Sequence, residues 1–509
     1  MKNPFKFFFS REESDTQVAN NRLLSYALGL AGQNMNYGFV SNRLFVFLNT
    51  VLKIDSRKTG LITGFSTLWD ALNDPIIGTL VDTRKFRPGN KLRPFLLYLP
   101  PIIGVLTALM FFDFGFSEGQ TVAFIVVVYL LYDIVYSYQD VALWGMLPLS
   151  SPSSDERGRV SQWATIGAGA GSTVAGFFPQ IRQSIVDLGV ANEKTAYFIG
   201  AVAFGFGGML VSMLAYRMRE KVAYTRPEEK HGVLKNLSAL RHNRTLIIIC
   251  LARFVACFSL TLPWEYFFET RGVTYHVLGM ELSGATVQLL YGILPGIPGA
   301  FAMFFSAKIA RKIGGMKRIL VIAEVCSVTI RVICFFLGAN DRFLSFPVLL
   351  AIMALVSIIN IPTSMKDIAH RALISDSIDE VELKTGERTE GISYSMQNFI
   401  SKLTGAASKF IQGYLLRWLG FNEKITDAAG HVLEGTAAIR AHGADTRFVR
   451  FRWHQFMLGP AIGSALYLLV ILFLRDDRAH TQEVERLLRE KRAQMEQPQS
   501  EEAPATVGG

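Results

Sequence analysis

Twelve stretches of the sequence are apolar over lengths that can cross a lipid bilayer, and they constrain the fold strongly. A helix needs roughly 20 predominantly apolar residues to span the hydrocarbon core. Hydrophobic residues make up 50% of the chain and charged residues only 18%, which is typical of a membrane protein. We therefore predict an all-α polytopic membrane protein. The predicted spans begin near Leu23, Leu61, Phe95, Thr121, Val160, Ala196, Leu246, Ala285, Ile319, Phe346, Tyr394 and Phe456.

A polar segment divides these spans into two groups of six. Two six-helix halves are the arrangement expected of a transporter built from repeats. The N-terminal arm has basic residues around a very short apolar run and no small-residue cleavage site, so we interpret it as cytoplasmic. The predicted organisation is an arm over 1–22, a first half over 23–218, a linker over 219–244, a second half over 245–475 and a charged, partly disordered tail over 476–509.

Basic residues collect in the loops at 84–93, 217–244 and 308–318. If the spans are counted correctly, all three loops face the same side. Because Lys and Arg are enriched in cytoplasmic loops, both termini are predicted to be cytoplasmic, in the inner (plasma) membrane. Lys53, Arg57 and Lys58 are exceptions to this pattern.

The remaining composition argues against other classes of protein. The net charge of +10 comes largely from topology-setting loops, so nucleic-acid binding is not expected. The 4 Cys all lie in apolar runs without metal-ligand spacing, and no Ser/His/Asp, His-rich or Cys-rich constellation lies within one span. We predict that the protein is not an enzyme and carries no cofactor.

The second span contains acidic residues that a bilayer-spanning helix should not tolerate. Asp70 and Asp74 are four residues apart with Asn73 beside them, so on a helix all three side chains share one face. An ionised carboxylate in hydrocarbon costs several kcal/mol unless it takes a proton, a cation or a basic partner. This pattern predicts a site for a small cation.

The fourth span carries Asp133, Ser137, Asp140 and Trp144 at helical spacing. These groups can bind a sugar by hydrogen bonds and ring stacking, or they can form a satisfied polar patch between helices. Lys402, deep in the eleventh span, is the cation best placed by depth to offset the paired aspartates.

Several motifs resemble, in order and spacing, the signatures of the glycoside-pentoside-hexuronide:cation symporters. They are WDALNDPIIGTLVD, GNK, YSYQDVALWGMLP followed by SSDERGR, and ISDSIDEVELKTGERTEGISYSMQNFISK. The resemblance implies the major facilitator fold. It also implies a coupling-cation site at Asp70, Asn73, Asp74 and Ser137. A sugar-binding carboxylate is implied at Asp140, near Trp144, and Lys402 is implied to lie near the acidic cluster. Asp82 and Arg84 are implied to form a cytoplasmic latch.

The chain departs from the family pattern in the sugar pocket. Asn34 stands where well-known members carry a helix-one aspartate, the helix-five arginine has no counterpart around Gly167, and the helix-ten tryptophan is replaced near Asp367. The cation residues are therefore kept while much of the sugar pocket differs. We expect substrate contacts from Asn34, Asp140, Trp144, Lys402 and Arg43.

Unusual charges lie in other spans, and two interpretations of them stay open. They can form interhelical ion pairs, with Arg43 and Asp133 matched by depth. Alternatively Arg43, Arg253 or Lys366 faces the cavity and binds an anionic sugar such as a hexuronide. The charges concerned are Arg43, Arg253, Glu324, Arg331, Lys366, Asp367, His370 and Arg371.

The function predicted from these patterns is secondary active transport. Entry of Na+ or H+ drives uptake of a sugar, glycoside or hexuronide by alternating access, and Na+, if used, is a transported metal held by Asp70, Asn73 and Asp74. The expected partners are a small-molecule substrate and the lipid bilayer, with the protein as a monomer. The alternatives are a lysolipid or other amphipathic-solute carrier of the same fold, and a non-transporting sensor. The predicted external loop at 420–450 has no assigned role.

Overall fold

The computed structural model describes twelve long helical segments, which we number α1 to α12. The described residues are 13–83, 91–221, 243–269, 273–277, 279–305, 309, 312–313, 315–385, 390–421, 424–441, 447–474, 483–484, 486–487 and 490. The segments are α1 Asn20–Val46, α2 Ser56–Thr83, α3 Arg93–Met110, α4 Glu118–Leu149, α5 Ser154–Gly176, α6 Glu193–Arg217, α7 Arg244–Phe268, α8 Gly284–Ala302, α9 Met316–Gly338, α10 Phe346–Lys384, α11 Glu390–Trp418 and α12 Arg447–Ile471.

Each predicted span corresponds to one of these segments. Among the described residues, 8 segments are both long and apolar enough to cross a membrane: α3, α4, α6 to α10 and α12. The other four, α1, α2, α5 and α11, are 23 to 29 residues long but more polar. Three of these four carry polar side chains predicted to belong to the functional site, which explains their lower apolarity.

Four of these segments are interrupted. In α8 the helix over Gly284–Ile293 ends before a second helix begins at Gly296. In α6 the residues Ala201–Phe206 form a π-helix, and in α7 Leu260 adopts a left-handed conformation with φ +52°. In α10 an α-helix over Phe346–Thr363 ends just after Pro362, and a second helix begins at Lys366. The charged residues predicted for the tenth span therefore lie on a separate, more polar helix.

Small residues allow two close helix contacts. A Cβ atom at Gly171 of α5 would lie 1.9 Å from the carbonyl oxygen of Ala31 on α1. On α2, a Cβ atom at Gly60 would lie 2.9 Å from the Cα of Gly413 on α11. The α1–α5 and α2–α11 contacts are the most extensive helix contacts in the described structure, and they depend on the absence of side chains at these glycines.

The apolar core consists of clusters that mostly stay within one half. Two clusters lie entirely before residue 219, and two lie entirely after residue 245. One further cluster joins Phe45 and Val46 of α1 to Tyr266, Leu416 and Phe448. The boundaries of the two predicted halves stay a prediction.

Short elements between the long helices lie at one end of the bundle. They are a helix over Phe178–Asp187, a helix over Gly435–Arg440, and an antiparallel hairpin of β1 Thr274–Val277 and β2 Met280–Ser283. Gly279 in the hairpin turn has φ +82°, which favours glycine. We call this end the outer end because it carries the loops that were predicted to be external.

Candidate cation and substrate sites

Polar side chains of α2 and α4 meet in the interior. The Asn73 amide donates to Asp133 Oδ2 at 3.2 Å and to Ser137 Oγ at 3.5 Å. The side chains of Asp70 and Asp133 lie within hydrogen-bonding reach of each other. Asn73, Asp133 and Ser137 are all buried. The result is a compact set of oxygen ligands, of the kind that hard cations prefer.

Asp133 was not predicted to belong to this set. Sequence reasoning paired Asp70 with Asp74, and the structure places both on the continuous helix α2. The side chain of Asp74 lies outside the described residues, whereas Asp133 is the described carboxylate beside Asp70. Asp133 lies one helical turn from Ser137, so the helical spacing on α4 would have allowed Asp133 to be predicted as part of the site.

Lys402 links this acidic site to the second half of the chain. Its Nζ lies 2.9 Å from Asp70 Oδ1 and 3.5 Å from the Asp70 carbonyl oxygen. The side chains are 27% and 19% exposed, so the pair is not fully enclosed by the protein. Lys402 therefore lies beside Asp70, and its role stays a prediction.

A second polar network joins α1 and α4. Gln33 Nε2 donates to Asp140 Oδ1 at 2.5 Å, and Asn34 Nδ2 donates to Gln33 Oε1 at 3.2 Å. Trp144, one turn beyond Asp140, is partly exposed. The structure thus brings the substrate candidates Asn34, Asp140 and Trp144 into one region.

The single polar face predicted on α4 is therefore divided between two neighbouring helices. Asp133 and Ser137 bond to Asn73 of α2, whereas Asp140 bonds to Gln33 of α1. The seven residues that separate Asp133 from Asp140 are about two turns, and the neighbours of α4 change over that length.

The predicted pair of Arg43 with Asp133 is wrong. Arg43 forms an ion pair with Glu265 of α7, and both side chains are buried. The reason is depth. Arg43 is eight residues, or about 12 Å, from Val51, where the π-helical continuation of α1 ends, whereas Asp133 is fifteen residues, or about 22 Å, from the start of α4 at Glu118.

Other charges in the second half form interhelical pairs, as one of the two open interpretations predicted. Arg253 Nη2 on α7 lies 2.6 Å from Asp367 Oδ1, and Lys366 Nζ bonds to the buried carboxylate of Glu324 on α9. Each basic group therefore already has an acidic partner. These pairs do not favour Arg253 or Lys366 as an anion-binding residue.

A cavity of about 650 Å³ lies between the two halves, lined by residues of α1, α5, α7, α8 and α11. Its charged lining residues, among those described, are Arg43, Glu265 and Lys409. Lys409 was not predicted from the sequence. It follows Lys402 by seven residues and so shares its face of α11, a spacing that could have identified it.

A buried ion cluster lies at the outer end and was also missed. Arg182 bonds to Glu193 at 3.0 Å and to Glu269 at 2.6 Å, and all three side chains are less than 10% exposed. Burial alone would lower the pKa of Arg182, but the neighbouring carboxylates outweigh it and raise that pKa. The backbone amide of Thr436 donates to Glu193 at 2.9 Å. The predicted external loop therefore packs onto this cluster.

The predicted cytoplasmic latch is described only in part. Asp82 lies in the last turn of α2, with its side chain outside the described residues, and Arg84 is itself outside them. The latch stays a prediction. No group of three or more His, Cys, Asp and Glu side chains suited to hold a metal ion occurs in the described ranges.

Comparison with known proteins identifies the family. The profile of the family described as MFS/sugar transport protein matches residues 25–439, most of the chain. The chain belongs to this family. The resemblance to the glycoside-pentoside-hexuronide:cation symporters is therefore confirmed, and with it the major facilitator fold of two six-helix groups.

Three similar proteins are carriers by name. A 2,3-dihydroxypropane-1-sulfonate exporter of Salmonella typhimurium, itself described as putative, is 26% identical over 80% of this chain and 86% of its own length. A protein described as a putative sulfoquinovose importer of Escherichia coli is 24% identical over 80% of this chain and 83% of its own. Lactose permease of Lactobacillus helveticus is 25% identical over 92% of this chain and 73% of its own.

Solved structures of MFS transporters share the fold. A bacterial homologue of the human lysosomal transporter Spinster superposes with a TM-score of 0.58 at 14% identity, covering 88% of this chain and 96% of that one. The nucleoside transporter NupG gives a TM-score of 0.56 at 12% identity, covering 88% and 99%. At these identities the likeness concerns the fold alone.

Proposed function

We propose that this family member couples entry of Na+ or H+ to uptake of a sugar or glycoside across the plasma membrane. The observation that carries the proposal is the contact of Asp70 with Lys402, which joins the candidate cation site of α2 and α4 to α11 of the other half. Relatives named lactose permease and sulfoquinovose importer support a sugar as the substrate.

The proposed coupling begins at the acidic site. With no ion bound, the Lys402 ammonium offsets the charge of Asp70. A cation that binds between Asp70, Asp133, Asn73 and Ser137 takes over that neutralisation and releases Lys402 from its partner. Because Lys402 belongs to the other half, ion binding changes the contact between the halves.

The substrate side of the mechanism uses the neighbouring network of α1 and α4. Ser137 of the cation site and Asp140 of the Gln33–Asp140 pair are three residues apart on α4, so an ion that orders this helix also orders the carboxylate proposed to bind sugar. By linkage, substrate must raise ion affinity by the factor by which the ion raises substrate affinity. Alternating access then transfers the energy of the ion gradient to the sugar.

The proposed orientation places both termini in the cytoplasm. Basic loops at 84–93, 217–244 and 308–318 support it by the positive-inside rule. We propose a monomer without a cofactor as the working unit, with Na+ or H+ as the coupling ion. The lysolipid and sensor alternatives receive no support from relatives that are named as sugar and sulfonate carriers.

The test is uptake of sugars into proteoliposomes with an imposed Na+ or H+ gradient. Wild-type protein should accumulate substrate only when a gradient is present. Asp70→Asn should abolish accumulation while retaining exchange of substrate at equal concentrations, because the sugar site remains. A matched control is Asp113→Asn, since Asp113 is an aspartate at the outer end, away from the cavity, where it pairs with Lys194 at 3.0 Å. Gradient-driven accumulation that survives Asp70→Asn would contradict the proposal.

A further inference from the structure

Lys409 differs from Arg43, Arg253 and Lys366 because, among the described contacts, it has a neutral partner in place of an acidic one. Its described hydrogen bond is to Thr67 Oγ1 at 2.9 Å, a neutral acceptor on α2. Asp70 acts on it only as a more distant charge. By contrast, Arg43 pairs with Glu265, Arg253 with Asp367 and Lys366 with Glu324.

An ammonium group in this position is costly without an anion. Buried charges in membrane proteins persist when they are paired, when they contact water or when they bind a ligand. Lys409 lines the cavity of about 650 Å³ between the two halves. Because Arg43 and Glu265 neutralise each other, the described residues that line the cavity carry one net positive charge, which belongs to Lys409.

The rest of the cavity lining suits a polyhydroxylated ligand. Its volume lies within the range of roughly 300 to 1,000 Å³ usual for small-molecule sites. Carboxamide and hydroxyl side chains that can bond to sugar hydroxyls line it: Ser41, Asn42, Gln180, Gln288, Ser408 and Gln412. Trp264 adds an aromatic surface.

We infer that Lys409 is a specificity-determining residue that binds a carboxylate or sulfonate group of a negatively charged sugar. The inference rests on the proposed transport function and adds the charge of the substrate. Lys409 lies seven residues, about 10 Å, along α11 from Lys402. The anionic group of the substrate is thus held at a distance from the Asp70–Lys402 pair, and the coupling ion and the substrate charge do not compete for one lysine.

The test compares matched anionic and neutral sugars in proteoliposomes. The panel contains methyl glycosides of common hexoses, each as the neutral sugar, the uronate and the 6-sulfonate. A charge-assisted hydrogen bond contributes about 1.5–3 kcal/mol, so wild-type protein should prefer the anionic member by about ten-fold or more in half-saturating concentration. Lys409→Gln should remove this preference, and Lys409→Arg should retain it.

Two further variants keep the test decisive. Lys58→Gln is the control, because Lys58 is an exposed lysine at the outer end that pairs with Glu118, and it should leave the preference unchanged. If Lys409→Gln does not fold, Lys409→Cys is measured before and after attachment of an aminoethyl group through a disulfide. Restoration of the ammonium should restore the anion preference.

The outcomes separate this inference from the proposed function. Equal transport of neutral and anionic sugars by wild-type protein, or a preference that survives Lys409→Gln, overturns the role of Lys409 and leaves sugar transport intact. Failure of wild-type protein to accumulate any sugar of the panel in either gradient contradicts both.

Discussion

Replacing Arg182 with Met tests whether the outer ion cluster holds the two halves together. Arg182 bonds to Glu193, which begins α6, and to Glu269, which follows α7. These two carboxylates belong to different predicted halves. Removing the guanidinium leaves two buried acids close to each other without their basic partner.

The expected cost is large because all three side chains are buried, at 2%, 9% and 1% exposure for Arg182, Glu193 and Glu269. Removing one member of a buried ion pair typically costs about 3–5 kcal/mol, since the remaining charge is buried and unpaired. Replacing every member by neutral groups of similar size is often nearly neutral. Arg182→Met should therefore be much less stable than Arg182→Met combined with Glu193→Gln and Glu269→Gln.

The assay is equilibrium unfolding of the purified protein in a denaturing-detergent series at pH 7. The single variant should lose about 3–5 kcal/mol of unfolding free energy, and the triple variant should recover most of it. Arg57→Met is the control because Arg57 is half-exposed and pairs only weakly, at 3.5 Å, with Asp55. A single variant as stable as wild type, or a triple variant as unstable as the single, would refute the reasoning.

Lys402→Met removes the ammonium 2.9 Å from Asp70, so the coupling ion no longer has to displace it. Tryptophan-fluorescence titrations should show a rise of about ten-fold in ion affinity. Unchanged affinity would argue against competition between Lys402 and the ion. Gly171→Ala places a Cβ atom 1.9 Å from the carbonyl oxygen of Ala31, whereas the Cβ atom of Gly169→Ala meets nothing within 4 Å. Only Gly171→Ala should therefore lose unfolding free energy, by about 1–3 kcal/mol. A lower thermal unfolding midpoint for that variant alone would show this loss. Burial lowers the pKa of Lys53 from its ordinary value of 10.5 to about 8. Between about pH 8 and pH 10.5 the unfolded chain binds more protons at Lys53 than the folded protein does, so the free energy of unfolding rises as pH increases through that range. Lys53→Gln should flatten this rise, which melting curves at several pH values measure.

The number and positions of the helices could be predicted from the sequence because the bilayer sets the length of each apolar run. The twelve predicted starts each fall in or near an observed segment, from Leu23 in α1 to Phe456 in α12. The break of α10 after Pro362 was not predicted. From the sequence, its charged second part is predicted to continue the tenth span.

Contacts between distant helices were harder to predict. The proximity of Asn73 to Ser137 followed from the resemblance to a family, whereas the contact of Asp133 with Asn73 depends on how α2 and α4 cross. Depth judged from the sequence gave the wrong partner for Arg43, because Asp133 lies farther from the outer end than Arg43 does, and Glu265 follows a left-handed residue at Leu260 that alters the course of α7. Sequence order alone does not reveal which acid faces a given arginine.

The outer ion cluster illustrates the same limit. Arg182 and Glu269 are 87 residues apart, and each lies in a connection rather than in an apolar span. Neither residue interrupts a hydrophobic run, so neither attracted notice in the sequence. Lys409, by contrast, could have been recognised from its seven-residue spacing to Lys402.

In the proposed mechanism, an ion at the acidic site of α2 and α4 prepares the substrate site beside it. Isothermal titration of the transported sugar into wild-type protein, at several concentrations of Na+ and at several pH values, tests it most directly. Either Na+ or protons should raise sugar affinity, and the sugar should raise affinity for the same ion by an equal factor. Asp70→Asn should abolish both effects. A sugar affinity that is independent of both ions in the wild-type protein would contradict the mechanism.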